Sequence, residues 1–531
     1  MIKGKALGNT LGKTMGKTIL RNTILLTATS IFMRTVGISF QVYLSNRIGA
    51  AGIGLFQLIM SVSMLAATFA ISGIRFATTR LVSEELGKNN PGGVKAAVRR
   101  CLTYAICFGT AACIALFFGA ETLGTKWIGD ARTVTALRIL SLSLPAFALS
   151  HVLSGYFTAV TRVIKSAAVN IIEQFIRIAV VVAALSMSAG DSIEHACAVI
   201  VTGGVVGEMC AFLLLFILYL HDRRRYRQRA GSTEGLTRRM FGIALPLAGT
   251  AYVRTALSTL QNLLVPRGIR KSGATAEAAL ADYGIVEGMV IPIVTFPSAF
   301  FYSLAELLVP ELTRAQVSGN HAQIEKTVNR VLRLCLLFSV GAAAVMFKFS
   351  PEMGLCIYNN SRVGHFIQLL SLWLPILYLD SVTDGMLRGL GEQMYNMRVN
   401  IADSLLTVIL VYILLPKYAV YGYIIVIYFT ELFNFSLSIW RLSRVTKIRF
   451  SVPTILKSAA SALGAVNIAV LLLRLLGLPL SSHILSIVVH IVMAAALYGI
   501  LLLVFGCVER RDIDSIKSFM RVQPFFSRKT L

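Results

Sequence analysis

The chain has 531 residues, 56% of them apolar and only 14% charged, with a mean hydropathy of +0.72. A water-soluble globular protein of this size would carry far more charge, so that class is excluded and a membrane protein is expected. The formal net charge of +26 would suggest nucleic acid in a soluble protein. Here Lys and Arg sit mostly in short segments between apolar runs, which is the positive-inside pattern and calls for no nucleic-acid partner.

Residues 1–22 are rich in Lys, Gly and Thr and read as a cytoplasmic N-terminal tail without a signal-cleavage pattern. Apolar runs then recur, each of about 20 residues and long enough to cross a bilayer. They predict an all-α polytopic membrane protein of about 14 transmembrane helices. The spans fall near 23–45, 55–79, 99–118, 136–157, 166–187, 196–220, 240–263, 282–305, 330–349, 365–387, 398–416, 418–440, 455–476 and 483–506. The basic clusters at 221–229 and 441–449 and the pair Arg510-Arg511 all fall on one side, so both termini are expected in the cytoplasm, with the chain in the cytoplasmic membrane. Arg267, Arg270 and Lys271 are the main basic residues on the other side. The eight cysteines include no C-x-x-C pair and read as small packing residues, with no metal site.

The first span contains FMRTVGISFQVYLSNR at 32–47, and a near copy, YVRTALSTLQNLLVPR, stands at 252–267. Arg34-Thr35 falls on Arg254-Thr255, Gln41 on Gln261 and Arg47 on Arg267. Further on, at a shift of 230, Gly54 falls on Gly284, ILSLSLP at 139–145 on LLSLWLP at 369–375, and Gly155 on Gly385. Two pseudo-twofold-related six-helix lobes are expected, at 23–220 and 240–440, joined by a basic linker at 221–239. Two extra helices occupy 441–506, and 507–531 is a cytoplasmic tail. Carriers that work by alternating access use such two-lobed repeats, with substrate between the lobes; a duplicated scaffold without transport is the alternative.

A charge in the hydrocarbon core costs several kcal/mol unless it meets a wet cavity or a partner. Arg34 and Arg254 fall near mid-span, and Gln41 and Gln261 lie two turns further on the same faces. Arginine keeps its charge and presents a fork of donors suited to phosphate, so the pair suggests an anion site; arginines satisfied by an acid or a helix end are the alternative. Arg75 either extends this basic set toward the cytoplasm or anchors the interface, whereas Arg80 reads as an interface anchor. Glu287 is the acid expected to line the substrate cavity, because Pro292 and Pro297 interrupt its helix. Asp380, Asp384 and Arg388 form an i, i+4, i+8 stripe, read as an ion-coupling site or gate, or as a self-neutralising stripe. Glu173 and Arg177, also i, i+4, are expected to pair within their helix. Glu208, Glu306, Asp403 and Glu431 are further acids in or near spans, and His151 and His490 read as packed side chains. No phosphate-binding loop, nucleophile elbow or metal-spaced cluster points to an enzyme.

Four stretches resemble the multidrug/oligosaccharidyl-lipid/polysaccharide (MOP) exporter superfamily, in the polysaccharide-transport branch that holds the stage V sporulation protein B family and relatives of the lipid II flippases. They are Arg34-Thr35-Val36-Gly37 with Arg47-Ile48-Gly49 and Gly52-Ile53-Gly54-Leu55; Gly73-Ile74 with Arg80-Leu81-Val82-Ser83-Glu84; Gly155-Tyr156-Phe157 with Glu173-Gln174-Phe175-Ile176-Arg177; and Phe296-Pro297-Ser298 with Leu308-Val309-Pro310-Glu311. The resemblance implies a monomeric flippase for a polyprenyl-pyrophosphate-linked saccharide, such as a peptidoglycan or spore-envelope precursor. Arg34, Arg254 and Arg75 would hold the pyrophosphate, and Gln41 and Gln261 would bond sugar or phosphate. A monovalent cation or the membrane potential would reset the carrier, with Asp380, Asp384 or Glu287 as ion ligands. Its partners would be the lipid-linked saccharide, membrane lipids and envelope-synthesis enzymes. Gln41 stands where relatives carry a second basic residue, and Arg75 where they carry proline. A drug/cation antiporter of the same superfamily and a non-transporting scaffold for envelope synthesis are the competing readings.

Overall fold

In the computed structural model, every regular element among the described residues is helical. The structure describes residues 2–88, 90–187, 192–223, 235–448, 452–477, 480–481 and 483–508. Most of the linker expected at 221–239 and nearly all of the tail at 507–531 lie outside them, as do the side chains of the tail expected at 1–22 and of Glu306.

Helix α1 (Ile2–Ile71) leaves helical geometry at Gly49 (φ 71°, ψ 177°). Unbroken, 70 residues would measure about 105 Å against a hydrocarbon core of ~30 Å. A turn within the run is therefore required, and glycine supplies the positive φ that a side chain resists. Helix α2 (Ile74–Gly87) follows after Ser72 and Gly73, and α3 (Pro91–Thr122) begins at Asn90, whose side chain accepts from the Gly93 amide at 3.0 Å. Helices α4 (Thr133–Ser141) and α5 (Leu144–Ala159) form a pair bent by 45°, with Pro145 in the first turn of α5. Helices α6 (Val163–Met187), α7 (Ile193–Asp222) and α8 (Leu236–Lys271) are long and apolar.

Next comes an interrupted run: α9 (Ala276–Tyr283), a π-helical stretch Gly284–Val290, α10 (Ile291–Thr295), a 3₁₀ turn Phe296–Ser298 and α11 (Ala299–Val317). The interruptions fall at Pro292 and Pro297, where the missing N–H groups break the helical ladder. After α12 (His321–Tyr358), α13 (Ser361–Ser371) and α14 (Leu374–Gly389) form a second bent pair, at 58°. Helix α15 (Gln393–Val445) breaks at Ala419 (φ 51°, ψ −134°), and α16 (Val452–Leu475) and α17 (Ile484–Val504) close the described chain.

Among the described residues, ten helices are long and apolar enough to cross a membrane, or twelve if each bent pair is one span. The sequence places two spans in each of the runs Phe32–Gly87 and Gln393–Val445, which are the runs broken at Gly49 and Ala419. Phe76, Phe118, Met187, Leu475 and Leu485 are exposed. With backbone polar groups satisfied inside helices, a surface of this kind suits lipid, and the protein is a multi-pass membrane protein.

The chain divides into two compact units, residues 1–288 with 404–426 and residues 289–403 with 427–531. This boundary differs from the lobe boundary expected near 221–239, because α8 and α9 group with the first half. The 230-residue repeat is nonetheless visible inside each unit. In the first, α4 and α5 break at Leu142-Ser143, a Cβ on Gly155 would come within 2.6 Å of the Arg75 carbonyl, and α5 exits through Thr161 (φ 58°). In the second, α13 and α14 break at Leu372-Trp373, a Cβ on Gly385 would come within 2.5 Å of Ala305, and α14 exits through Gly391 (φ 77°). Each named position lies 230 residues from its counterpart.

Candidate functional site

Within the first unit, α1 meets the π-helical stretch at two glycines. A Cβ on Gly54 would collide with the Leu280 carbonyl, and one on Gly284 with the Ala50 carbonyl. Ala50 and Leu280 are partners in the 230-residue sequence repeat, as are Gly54 and Gly284, so the contact is reciprocal. One turn beyond it, the Gln41 amide donates to the Gly288 carbonyl at 3.1 Å. A π-helical turn leaves carbonyls out of the regular ladder, and Gln41 satisfies this one. A Cβ on Gly288 would lie 3.4 Å from the Gln57 amide, so both glutamines border that glycine.

Glu287, next along the π-helical stretch, accepts a hydrogen bond from the Tyr423 hydroxyl, and the Gln261 side chain reaches the same hydroxyl. The structure therefore gathers three sequence candidates, Gln41, Gln261 and Glu287, around one interrupted helix. Tyr423, which completes the group, gave no signal in the sequence, because a tyrosine in an apolar run is an ordinary packing residue.

The same unit holds a half-open cavity of about 500 Å³. Gly37 and Gln41 of α1 line it before the Gly49 break, and Gln57 and Ser63 line it after the break. Ser143 and Phe147 contribute from the α4–α5 break, Gln174 and Arg177 from α6, and Gly204 and Glu208 from α7. Arg177 pairs with Glu173 at 2.5 Å, the spacing expected of i, i+4 residues, and its Nε is buried without an acceptor. Glu208 is 8% exposed.

The arginines have different settings. Arg34 is half-buried on α1, one turn before Gly37, whereas Arg254 on α8 is exposed. The neighbours of Arg254 hold α8 against the second limb of α1. Tyr252 bonds Ser72, Thr255 lies 3.2 Å from Thr68, Thr259 donates to the Ser61 carbonyl at 3.1 Å, and Asn262 donates to Ser61 Oγ at 3.1 Å. These positions share one face of α8, while Arg254 and Gln261 share another. Arg75 is exposed, and Arg80 pairs with Glu84 at 3.0 Å.

In the second unit, Asp380 of α14 is 7% exposed and its Oδ1 is buried without a hydrogen-bond partner. Asp384 accepts a long bond of 3.5 Å from Ser438 Oγ, and Arg388 is exposed at the end of the helix. Asp380 and Glu431 each feel the charges of Asp384 and Asp403. The stripe read from α14 is thus part of a four-carboxylate group to which α15 adds two members. Among the described residues, no three His, Cys, Asp or Glu side chains are arranged to hold a metal ion. His151 bonds the Phe147 carbonyl at 2.9 Å and His490 the Ser486 carbonyl at 2.8 Å, each within its own helix.

The sequence profile described as polysaccharide biosynthesis protein matches residues 19–316, and the one described as MatE matches 276–413. Stage V sporulation protein B of Bacillus subtilis (strain 168) is 23% identical over 506 residues, covering 94% of this chain and 97% of that protein. Among solved structures, lipid II flippase MurJ in an inward closed conformation superposes with a TM-score of 0.66 at 15% identity, over 92% of this chain and 100% of that one. An inward-facing multidrug resistance MATE family transporter of the MOP superfamily superposes with a TM-score of 0.62 at 14% identity, over 78% and 95%. At these identities the structural likeness speaks for the fold.

Proposed function

The chain belongs to the polysaccharide biosynthesis protein family, within the MOP superfamily, and from that premise we propose that it is a flippase moving a polyprenyl-pyrophosphate-linked saccharide across the cytoplasmic membrane by alternating access. The observation that carries the reading is the repeated arginine, Arg34 half-buried near mid-span of α1 and Arg254 at the matching place on α8. Two fixed cations at membrane depth suit a doubly charged phosphate group and repel a cationic drug. Along this proposal the chain has fourteen spans in two pseudo-twofold six-helix lobes plus α16 and α17, works as a monomer, and keeps both termini in the cytoplasm. The reciprocal glycine contact and the 230-residue structural repeat support the lobed arrangement. The whole-length likeness to stage V sporulation protein B supports a spore-envelope or peptidoglycan precursor as cargo.

The buried Asp380 and its three acidic neighbours favour a cation or proton as the resetting ion, since such a group needs positive charge to balance it. They also give weight to a second reading, a drug/cation antiporter.

Purified protein in liposomes, given a lipid-pyrophosphate disaccharide, tests the choice. Movement by the parent chain, reduced about tenfold or more in Arg34→Ala and Arg254→Ala through loss of charge-assisted bonds, is the expected result. No movement by the parent overturns the flippase reading. Ion-driven export of a cationic dye that depends on Asp380 would replace it with the antiporter.

A further inference from the structure

The first-unit cavity has a lining unlike the arginine set. Most of its lining is apolar, including Phe40, Phe56 and Met60, and the polar groups on it are three primary amides, Gln41, Gln57 and Gln174, with one charge of each sign, Glu208 and the Glu173-paired Arg177. Gly204 also faces it, and a Cβ there would meet no atom within 4 Å, so an open space begins at the helix backbone itself. Neighbouring Gly203 is different, because a Cβ there would run into α6. The glycine at 204 therefore has no packing role in this structure, and its effect is to enlarge the cavity.

Size and chemistry restrict the occupant. About 500 Å³ falls within the ~300–1,000 Å³ range of small-molecule pockets. It far exceeds the ~30 Å³ share of one water, so a single bare ion leaves it mostly unfilled. A neutral lining gives no preference for a pyrophosphate. Primary amides offer a donor and an acceptor side by side, as hydroxyl and acetamido groups require, and Phe147 adds an apolar ring for the C–H face of a sugar. Arg34 lies seven residues before Gln41, about 10 Å along α1, which separates a charged group from a neutral one on the same molecule.

We propose that this cavity is a saccharide subsite, taking one or two neutral or N-acetylated hexose rings of the carried lipid while the pyrophosphate stays at Arg34. The proposal rests on the flippase reading for its cargo, but the cavity's ligand can be tested apart from transport. The full chain in nanodiscs would be titrated with radiolabelled N,N′-diacetylchitobiose, and with maltose as a second probe. Saturable binding is expected for at least one of them. Gln174→Leu should weaken it tenfold or more by removing a donor–acceptor pair. Gly204→Leu should abolish it by filling the space while improving helix propensity, so that loss of binding is not loss of fold. Gly242→Ala, outside the cavity and with open space for the added methyl group, should leave it unchanged. Binding that follows this pattern in a protein that moves no lipid would keep the subsite and reject the flippase. Absence of saturable binding to either probe, or binding unaffected by both Gln174→Leu and Gly204→Leu, overturns the subsite even if lipid movement is intact.

Discussion

Asp130 shows how one side chain can order a loop between spans. It sits between α3 and α4, where Arg132 donates to it from Nε at 3.0 Å, from Nη2 at 2.6 Å and from its backbone amide at 3.0 Å. Burial raises the Asp130 carboxyl, but the bonds and charge of Arg132 outweigh it and hold the group below its ordinary value of 3.8. A carboxylate with a lowered folded value stabilises the protein above the unfolded value, and that stability is lost as pH falls through the folded one. Asp130→Asn is therefore expected to lower the melting temperature at pH 7 by a few degrees, on the order of 1 kcal/mol or less because Arg132 is partly exposed. The gap should close as pH falls through and below the lowered folded value, and a gap that persists there would assign the effect to lost packing. At this scale the sequence was informative where partners are close in the chain. The Glu173–Arg177 pair follows from i, i+4 spacing, while Asp130–Arg132 and Glu287–Tyr423 depend on loop and tertiary geometry that periodicity does not encode.

At the scale of the elements, the decisive features are where helices break and where they touch. The repeat of ILSLSLP as LLSLWLP becomes two bent pairs, because Pro145 and Pro375 each open a helix in its first turn. The match of Gly54 with Gly284 becomes a contact between the two glycines themselves, which no comparison of aligned positions could reveal. Gly284→Ala would drive a methyl group into the Ala50 carbonyl, whereas a Cβ on Gly242 of α8 would meet nothing within 4 Å. Overpacking of a close helix contact costs about 1–3 kcal/mol, while alanine in place of an open helical glycine gains up to ~1 kcal/mol. Thermal melting in one detergent should thus show Gly284→Ala below the parent and Gly242→Ala level with it or above. Equal melting of the two variants would mean that the helices slide apart without cost. The acids were legible only in part. The α14 stripe was visible from its spacing, but its union with Asp403 and Glu431 required α15 to be packed beside it.

For the molecule as a whole, α8 is the helix that opens the second repeat yet belongs to the first compact unit, and it is tied there at both ends. At its start, Arg239 pairs with Glu84 and, at 3.3 Å, with Glu85, whose side chain is only 4% exposed and also holds Lys88 and Asn90. Nearby, Arg100 donates to Thr237 at 2.9 Å. At its far end, Arg267 donates to the Lys126 and Trp127 carbonyls. Under the proposed alternating access, the two ends of α8 cannot both stay fastened through a cycle, since each side of the membrane must open in turn. Removing one tie should therefore bias the population toward the state in which that end is open, by an amount set by what the tie contributes. Arg239→Gln leaves a buried carboxylate short of its partner and should favour opening at the Glu85 end. Arg267→Gln should favour the other end. Single cysteines placed near each end, in a background cleared of the native eight, would report this as opposite several-fold changes in alkylation rate. If both variants raise reactivity at both ends, the ties hold the fold together and do not gate it; if neither changes either end, α8 is not the helix that moves.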